Sequence, residues 1–184
     1  MKTDARVRYT RMIIQKTFLS LLNEKPIRSI TVKEICQKAG INRTTFYKHY
    51  RDTYDLLEAV QEQASDALLE LINKYAPEES GRVLLIILDQ IYKNRDKFRN
   101  FLQNSSDYGF LYKTAIKCFL QINENSKKSG AEGKGFLSDP LNFSYFAGAI
   151  GGVIGYWAAG GMKETPEEIA SCISRLSKPL FKES

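Results

Sequence analysis

The stretch Thr31–Tyr50, T-V-K-E-I-C-Q-K-A-G-I-N-R-T-T-F-Y-K-H-Y, contains the signals for a helix, a tight turn and a second helix. Thr31 and Glu34 have the spacing of a capping box, in which the hydroxyl accepts a first-turn N–H and the carboxylate reaches back to the cap. Val32, Ile35, Cys36 and Ala39 follow at i, i+3, i+4 and i+7, one apolar stripe for a core. Gly40 supplies the left-handed stop, and Asn42 can cap the second helix. At about 100° per residue, Phe46 and Tyr50 of that helix point inward and Thr44 and Lys48 outward. Thr45 and Tyr47 flank the outward face, and Arg43 stands at its N-terminal edge. A short helix that shows hydroxyls, a phenol and cations, held across a glycine turn by a preceding helix, suits a DNA major groove. An ordinary helical hairpin with a solvated face is the plain alternative.

On this face Arg43, Thr44 and Thr45, with Lys33 from the first helix, are the candidates for reading bases. Thr31, Tyr47, Lys48 and His49 are the candidates for holding phosphates.

From Ile30 to Leu57, I-T-V-K-E-I-C-Q-K-A-G-I-N-R-T-T-F-Y-K-H-Y-R-D-T-Y-D-L-L, the chain resembles the helix-turn-helix of TetR-type transcriptional regulators. The likeness includes the Ala39-Gly40 turn, Phe46, Tyr47 and His49 in the order F-Y-x-H, and the closing Leu56-Leu57. It implies an all-α protein. An N-terminal three-helix DNA-binding head at residues 1–51 would be joined by a long helix to a helical ligand-binding and dimerisation body at 52–184. Two positions depart from the family's pattern. Cys36 stands where Ala is usual, a small-for-small change. Thr53 stands where a phosphate-binding Lys is usual, so that contact does not carry over.

Composition agrees with a DNA-binding head. Residues 1–60 hold 12 Lys/Arg against 6 Asp/Glu, while residues 61–184 hold 15 of each, so the net charge of +6 belongs to the first third. That is where a polyanion would bind, although charge alone does not separate DNA from RNA or anionic lipid. Arg6, Arg8 and Arg11 lie ahead of an apolar run, but Gln15 and Lys16 interrupt it and no small-residue cleavage site follows. The segment is expected to be an amphipathic helix burying Ile14, Phe18, Leu21 and Leu22, with the arginines near the DNA backbone. Cys36, Cys118 and Cys172 are far apart, each in an apolar helical pattern, and are expected to be buried thiols in a cytoplasmic protein. A single histidine, His49, and no close Cys/His spacing argue against a metal site. With no acid, nucleophile or metal constellation around His49, neither an enzyme nor a cofactor is expected.

A long helix is expected from Asp52 to about Tyr75, with Leu57, Val60, Ala64, Leu68, Leu71 and Tyr75 at three-to-four spacing; Ala76, Pro77, Glu78 and Glu79 break it. Ser80 opens the next helix, which runs to about Lys93. Tyr92, Phe98, Phe101, Tyr108, Phe110, Tyr112 and Phe119 follow closely, and plain helical core or the wall of a pocket would use such residues equally well. The family resemblance adds the expectation of an effector pocket, for which Tyr92, Phe98, Phe101, Tyr108, Tyr112 and Phe119 are candidates. Residues 124–138 form a glycine- and lysine-rich connection.

Asp139 and Pro140 then start an uncharged run, Leu141–Met162. Its weak apolarity and glycine content favour a buried interface helix over a membrane span. Gly148, Gly152, Gly155 and Ala159 fall within an arc of about 60°, opposite Phe143, Phe146, Ile150, Val153, Ile154 and Trp157. A second capping box at Thr165 and Glu168 opens the last helix, with Ile169, Cys172, Ile173, Leu176 and Leu180 on one stripe. Two closing helices match the family's usual dimer element. Gly148, Gly152, Gly155, Ala159, Ile169, Ile173 and Leu176 are therefore the interface candidates. The glycine-rich helix is also similar to that of the subgroup including activators of dihydroxyacetone kinase operons.

The resulting expectation is a homodimeric regulator of a pseudo-palindromic operator, a repressor by family analogy, released by a small-molecule effector and not bound to a membrane. An activator or an adaptor controlled by a protein partner is the alternative, and it would show no effector-dependent change in DNA affinity.

Overall fold

Thr31 turns the chain into its second helix by accepting the Glu34 N–H on its hydroxyl oxygen at 3.2 Å. The helix ends at Gly40, where φ is 68° and nothing lies within 4 Å of the position a Cβ would take, so the backbone angle rather than space calls for glycine. Asn42 starts the next helix by accepting the Thr45 N–H at 2.7 Å.

The computed structural model describes residues 5–75, 80–95, 98, 110, 112–117, 120 and 139–178, and among these the regular elements are all helices. In chain order they are α1 (Ala5–Glu24), a 3-10 turn (Ile27–Ser29), α2 (Val32–Ala39), α3 (Arg43–Tyr47), α4 (Thr53–Tyr75), α5 (Ser80–Lys93), α6 (Pro140–Ala159) and α7 (Pro166–Ser177). Residues 112–117 are also helical. The chain divides into two compact units, Met1–Ala64 and Ser65–Ser184.

In the first unit α1 buries Ile14, Phe18, Leu21 and Leu22, the four that its spacing selects, and packs on α2, which packs on α3. Ile35, Phe46, Tyr50, Leu56, Leu57 and Val60 complete this core. Full burial of each large apolar side chain contributes about 1.5–3 kcal/mol before the entropy of ordering the chain is counted. The 3-10 turn has no counterpart in the periodic sequence pattern. It sets Ile27 and Ile30, three residues apart, both inward. Lys25 donates to Glu34 at 2.6 Å and Lys38 to Glu24 at 3.0 Å, joining α1 and its following turn to α2. The Lys25 hydrogen bond holds the Glu34 carboxyl below its ordinary pKa, with the Thr31 N–H adding to the effect, so this capping-box carboxylate is shared with a tertiary partner.

The second unit is built on α5, α6 and α7. Leu88, Ile154, Trp157, Ala158, Met162, Ile169 and Ile173 form its core, and Leu84, Ile91, Tyr92, Phe98, Ile150 and Val153 pack against it. Asp139 caps α6 by accepting the Leu141 and Asn142 N–H groups at 2.8 and 3.1 Å, with Pro140 in the first position. Thr165 and Glu168 close the capping box of α7 at 3.3 and 2.8 Å. Between them Gly161 and Met162 are both left-handed, at φ 86° and 52°, and reverse the chain. The turn is tied to the core twice. Trp157 donates its indole N–H to the Glu164 carbonyl at 3.0 Å, and the Met162 N–H donates to the Trp157 carbonyl at 2.8 Å.

The uncharged run from Leu141 is thus interrupted after Ala159. Among the described residues, no helix is long and apolar enough to cross a membrane. Ser65 and Thr114 form a buried hydroxyl pair at 2.7 Å, and Lys117 donates to Asp66 at 2.9 Å, so residues 112–117 lie against the C-terminal part of α4. Of the expected buried thiols, Cys36 is buried and Cys172 is only partly so, because it sits at the edge of α7 beside exposed Ser171. Cys118, residues 76–79, residues 124–138 and Leu180 lie outside the described residues.

Candidate nucleic-acid interface

α3 and the three residues that follow it divide by exposure. Phe46 is fully buried and Tyr50 nearly so, while Arg43, Thr44, Tyr47 and Lys48 are exposed. Phe46 braces the outward phenol, with its ring edge-on to Tyr47 at a centroid separation of 5.6 Å. Lys33 is exposed on α2, and Thr31 is exposed at that helix's N-terminus. The structure therefore places all eight candidates in one unit, six of them exposed and Thr45 and His49 half-buried.

The hydroxyls differ in what they can offer. Thr31 accepts the Glu34 N–H, which leaves its own O–H proton free to donate to a phosphate oxygen. Thr45 is in the opposite condition. Its hydroxyl donates to Asn42 Oδ1 at 2.8 Å, beside its own backbone N–H on the same oxygen at 2.7 Å. The lone pairs of Thr45 remain, and these can accept from a base amino group.

His49 is half-buried beside Tyr50, their ring centroids 6.3 Å apart. Burial, and then the Arg11 guanidinium and the Lys48 ammonium nearby, hold its pKa below the ordinary imidazole value. The neutral imidazole keeps one N–H donor; protonation would add a second donor and a charge. Thr53 is buried at the start of α4, which removes it from any phosphate-facing position. In its neighbourhood Asp52 accepts the Tyr54 and Asp55 N–H groups, both at 2.8 Å, while Arg51 is bound to Asp55 at 2.8 Å.

Sequence spacing does not reveal which cations are already neutralised. Lys25, Lys38 and Arg51 are committed to Glu34, Glu24 and Asp55. Lys33, Arg43 and Lys48 form no ion pair among the described residues.

Of the described pocket candidates, Tyr92 and Phe98 pack on one core and Tyr112 is exposed. Tyr92 stacks on Trp157, with centroids 6.0 Å apart and planes 8° from parallel, and Arg95 lies 5.3 Å over its ring. Phe98 packs on the same core, and exposed Tyr112 donates its phenol to Ser144 at 3.3 Å. Phe101, Tyr108 and Phe119 lie outside the described residues. Of the interface candidates, Gly148, Gly152, Ala159 and Leu176 are exposed on this chain; Gly155 is buried, and Ile169 and Ile173 point into the chain's own core.

The family described as "Bacterial regulatory proteins, tetR family" matches residues 16–60, and a "Transcriptional regulator C-terminal region" matches residues 78–179. An uncharacterized HTH-type transcriptional regulator, YxbF of Bacillus subtilis (strain 168), is 32% identical over 95 residues, which are 48% of this chain and 25% of that protein. Another, from Haemophilus influenzae, is 25% identical over 111 residues, 57% of this chain and 54% of that one. The chain thus matches about half or less of the length of these curated relatives. Among solved structures, a TetR transcriptional regulator from Streptococcus agalactiae 2603V is similar at a TM-score of 0.69 and 21% identity, over 94% of this chain and 96% of that one. The dihydroxyacetone kinase operon activator DhaS is similar at 0.65 and 23%, with the same coverages. Both likenesses bear on the fold.

Proposed function

The chain belongs to the TetR family of bacterial transcriptional regulators, and from that membership we propose a cytoplasmic homodimeric repressor whose operator affinity is lowered by a small molecule. The DNA-binding part is residues 1–51 and the regulatory part residues 52–184. The observation that carries this reading is the division of α3 and the three residues after it, with Phe46 and Tyr50 inward and Arg43, Thr44, Tyr47 and Lys48 exposed. Lys33, Arg43, Thr44 and Thr45 read bases, and Thr31, Tyr47, Lys48 and His49 hold phosphates.

Dimerisation has support in α6, a helix with no charged residue. Leu141, Tyr145, Gly148, Gly152, Tyr156 and Ala159 fall within an arc of about 80°. All six are exposed on the single chain, Leu141 and Tyr156 at 80%. A contiguous uncharged strip of this kind is what a protein interface uses. A second copy, meeting the strip through a two-fold axis, would present two α3 helices to a pseudo-palindromic operator. The effector and DNA each favour a different arrangement of the dimer, so each weakens the other by the same factor. The candidate effector site is the aromatic set Tyr92, Phe98, Phe101, Tyr108, Tyr112 and Phe119.

A gel shift with DNA from around the protein's own gene, followed by a ligand screen for release, tests both halves. Retention with release by one ligand class is the expected result. A second reading, an activator or adaptor of this fold controlled by a protein partner, has its support in the name of the neighbour DhaS, an operon activator. It predicts operator binding that no small molecule alters.

A further inference from the structure

α6 ends on a turn that exposes every residue from Gly160 to Glu164 except Met162. Its closure is a Schellman motif, in which the Gly161 N–H donates to the Ala158 carbonyl at 3.2 Å and the Met162 N–H to the Trp157 carbonyl at 2.8 Å. Gly161 takes the left-handed angle that this closure asks of glycine. Met162 is left-handed as well, which is unfavourable for a residue with a Cβ. It is 4% exposed and lies in the core with Trp157. Trp157 also grips the far end of the turn, because its indole N–H donates to the Glu164 carbonyl at 3.0 Å, just before the Thr165 cap of α7. The unfavourable angle at Met162 is thus kept in place by one residue, through both its side chain and its carbonyl.

Trp157 is in turn held from α5. The Tyr92 ring lies 8° from parallel to the indole at a centroid separation of 6.0 Å, and the Arg95 guanidinium lies over Tyr92 at 5.3 Å. Arg95 is exposed, Tyr92 half-buried and Trp157 fully buried, so the stack leads from solvent to the turn's anchor. We propose that this stack is a latch on the α6–α7 turn. Closed, it fixes the turn and the seat of α7 on α6; with Tyr92 displaced, the turn relaxes from its angle at Met162 and α7 loosens. Trp157 is the positioning residue, and Tyr92 is the point at which the latch opens. The inference rests on the dimer reading, since α6 carries the exposed strip for the second copy. It adds a route by which a molecule that moves Tyr92 weakens self-association without touching that strip.

Hydrogen exchange of the full chain, read on the segment 160–165, tests the latch with neither DNA nor ligand present. Tyr92→Leu keeps an apolar side chain but removes the ring. It should speed exchange in that segment by roughly two- to tenfold, the equilibrium weight of one aromatic pair, while the centres of α5 and α6 keep their rates. Tyr92→Phe keeps the ring and should behave as wild type. Trp157→Phe keeps a ring but loses the indole N–H, and should speed exchange in the same segment. Arg95→Ala leaves the core filled; it should move the emission of the sole tryptophan in the same direction as Tyr92→Leu, and by less. Sedimentation of Tyr92→Leu should show weaker self-association than wild type, although the strip is intact. Unchanged exchange in the turn, or exchange that rises equally throughout α5, α6 and α7, would overturn the latch. A looser turn with undiminished self-association would overturn its link to the second copy. A wild-type chain that stays monomeric would instead overturn the dimer reading, and the exchange result would then decide the latch by itself.

Discussion

The Thr45 hydroxyl donates to Asn42 Oδ1 at 2.8 Å while the Thr45 N–H donates to the same oxygen at 2.7 Å. One side chain thus caps α3 and holds the hydroxyl of Thr45, which is proposed to read a base. Asn42→Ala should destabilise the fold by about 1 kcal/mol, the usual cost of a lost cap. It should also blur sequence preference, because Thr45 is then free to rotate. Asn42→Asp should retain the cap and the preference, apart from the added negative charge facing DNA. Thermal unfolding and binding to a panel of single-base operator variants would separate the two effects. Unchanged preference in Asn42→Ala would remove Thr45 from the base-reading set.

Arg43 and Lys48 carry like charge on one short face, yet they are assigned different work. Arg43→Ala should cost about 1–3 kcal/mol on the operator and relax its preferred sequence. Lys48→Ala should weaken all sequences alike and flatten the salt dependence by about one unit. Identical behaviour of the two variants would contradict the division between base and phosphate contacts.

How much of the fold is legible in the sequence depends on how local each interaction is. Thr31, Gly40 and Asn42 act within four residues of themselves, so their types announce them, and α2 and α3 are where the pattern predicts. Lys25–Glu34 and Lys38–Glu24 join residues on successive elements, and no periodicity encodes these pairs. Spacing sets the glycines of α6 apart from Ile154 and Trp157, which pack inward, but the glycine side also carries exposed Leu141, Tyr145 and Tyr156 and is not smooth. What meets that side is a property of an assembly and is not written in one helix. The aromatics from Tyr92 onward are ambiguous for a different reason: Tyr92 on Trp157 is a stack that either a core or a pocket wall would use.

His49 should give opposite pH dependences to folding and to DNA binding. Its pKa in the folded chain lies below the ordinary value of 6.5, chiefly through burial. Between those two values the unfolded chain binds more protons. The stability contributed by neutral His49 is therefore complete above 6.5 and is lost as pH falls through the folded pKa. If His49 holds a phosphate as proposed, that phosphate favours the imidazolium, so DNA binding should take up a proton and tighten as pH falls, by at most about one unit of log Kd per pH unit. The wild-type chain should lose stability yet gain DNA affinity on mild acidification, and His49→Gln should lose the affinity gain. An affinity gain of the same size in His49→Gln would assign it to other groups.

Gly152 is exposed on α6, with nothing within 4 Å of the position its Cβ would occupy. Leucine there should stabilise the isolated chain by up to about 1 kcal/mol, because glycine is a poor helix former. In a dimer that buries the strip, the same side chain overpacks the interface by roughly 1–3 kcal/mol. Gly152→Leu should therefore keep its fold, dissociate at higher concentration and bind operator more weakly. A variant that sediments as a full-strength dimer with full operator affinity would show that the second copy sits elsewhere.

The central claim, that this chain reads a specific DNA sequence with α3, is met most directly by footprinting on the DNA upstream of its own gene in excess mixed-sequence competitor. One protected site made of two related half-sites about 34 Å apart, centre to centre, is expected, with protection lost in Arg43→Ala. Protection that disappears with competitor, or that persists unchanged in Arg43→Ala, would contradict it.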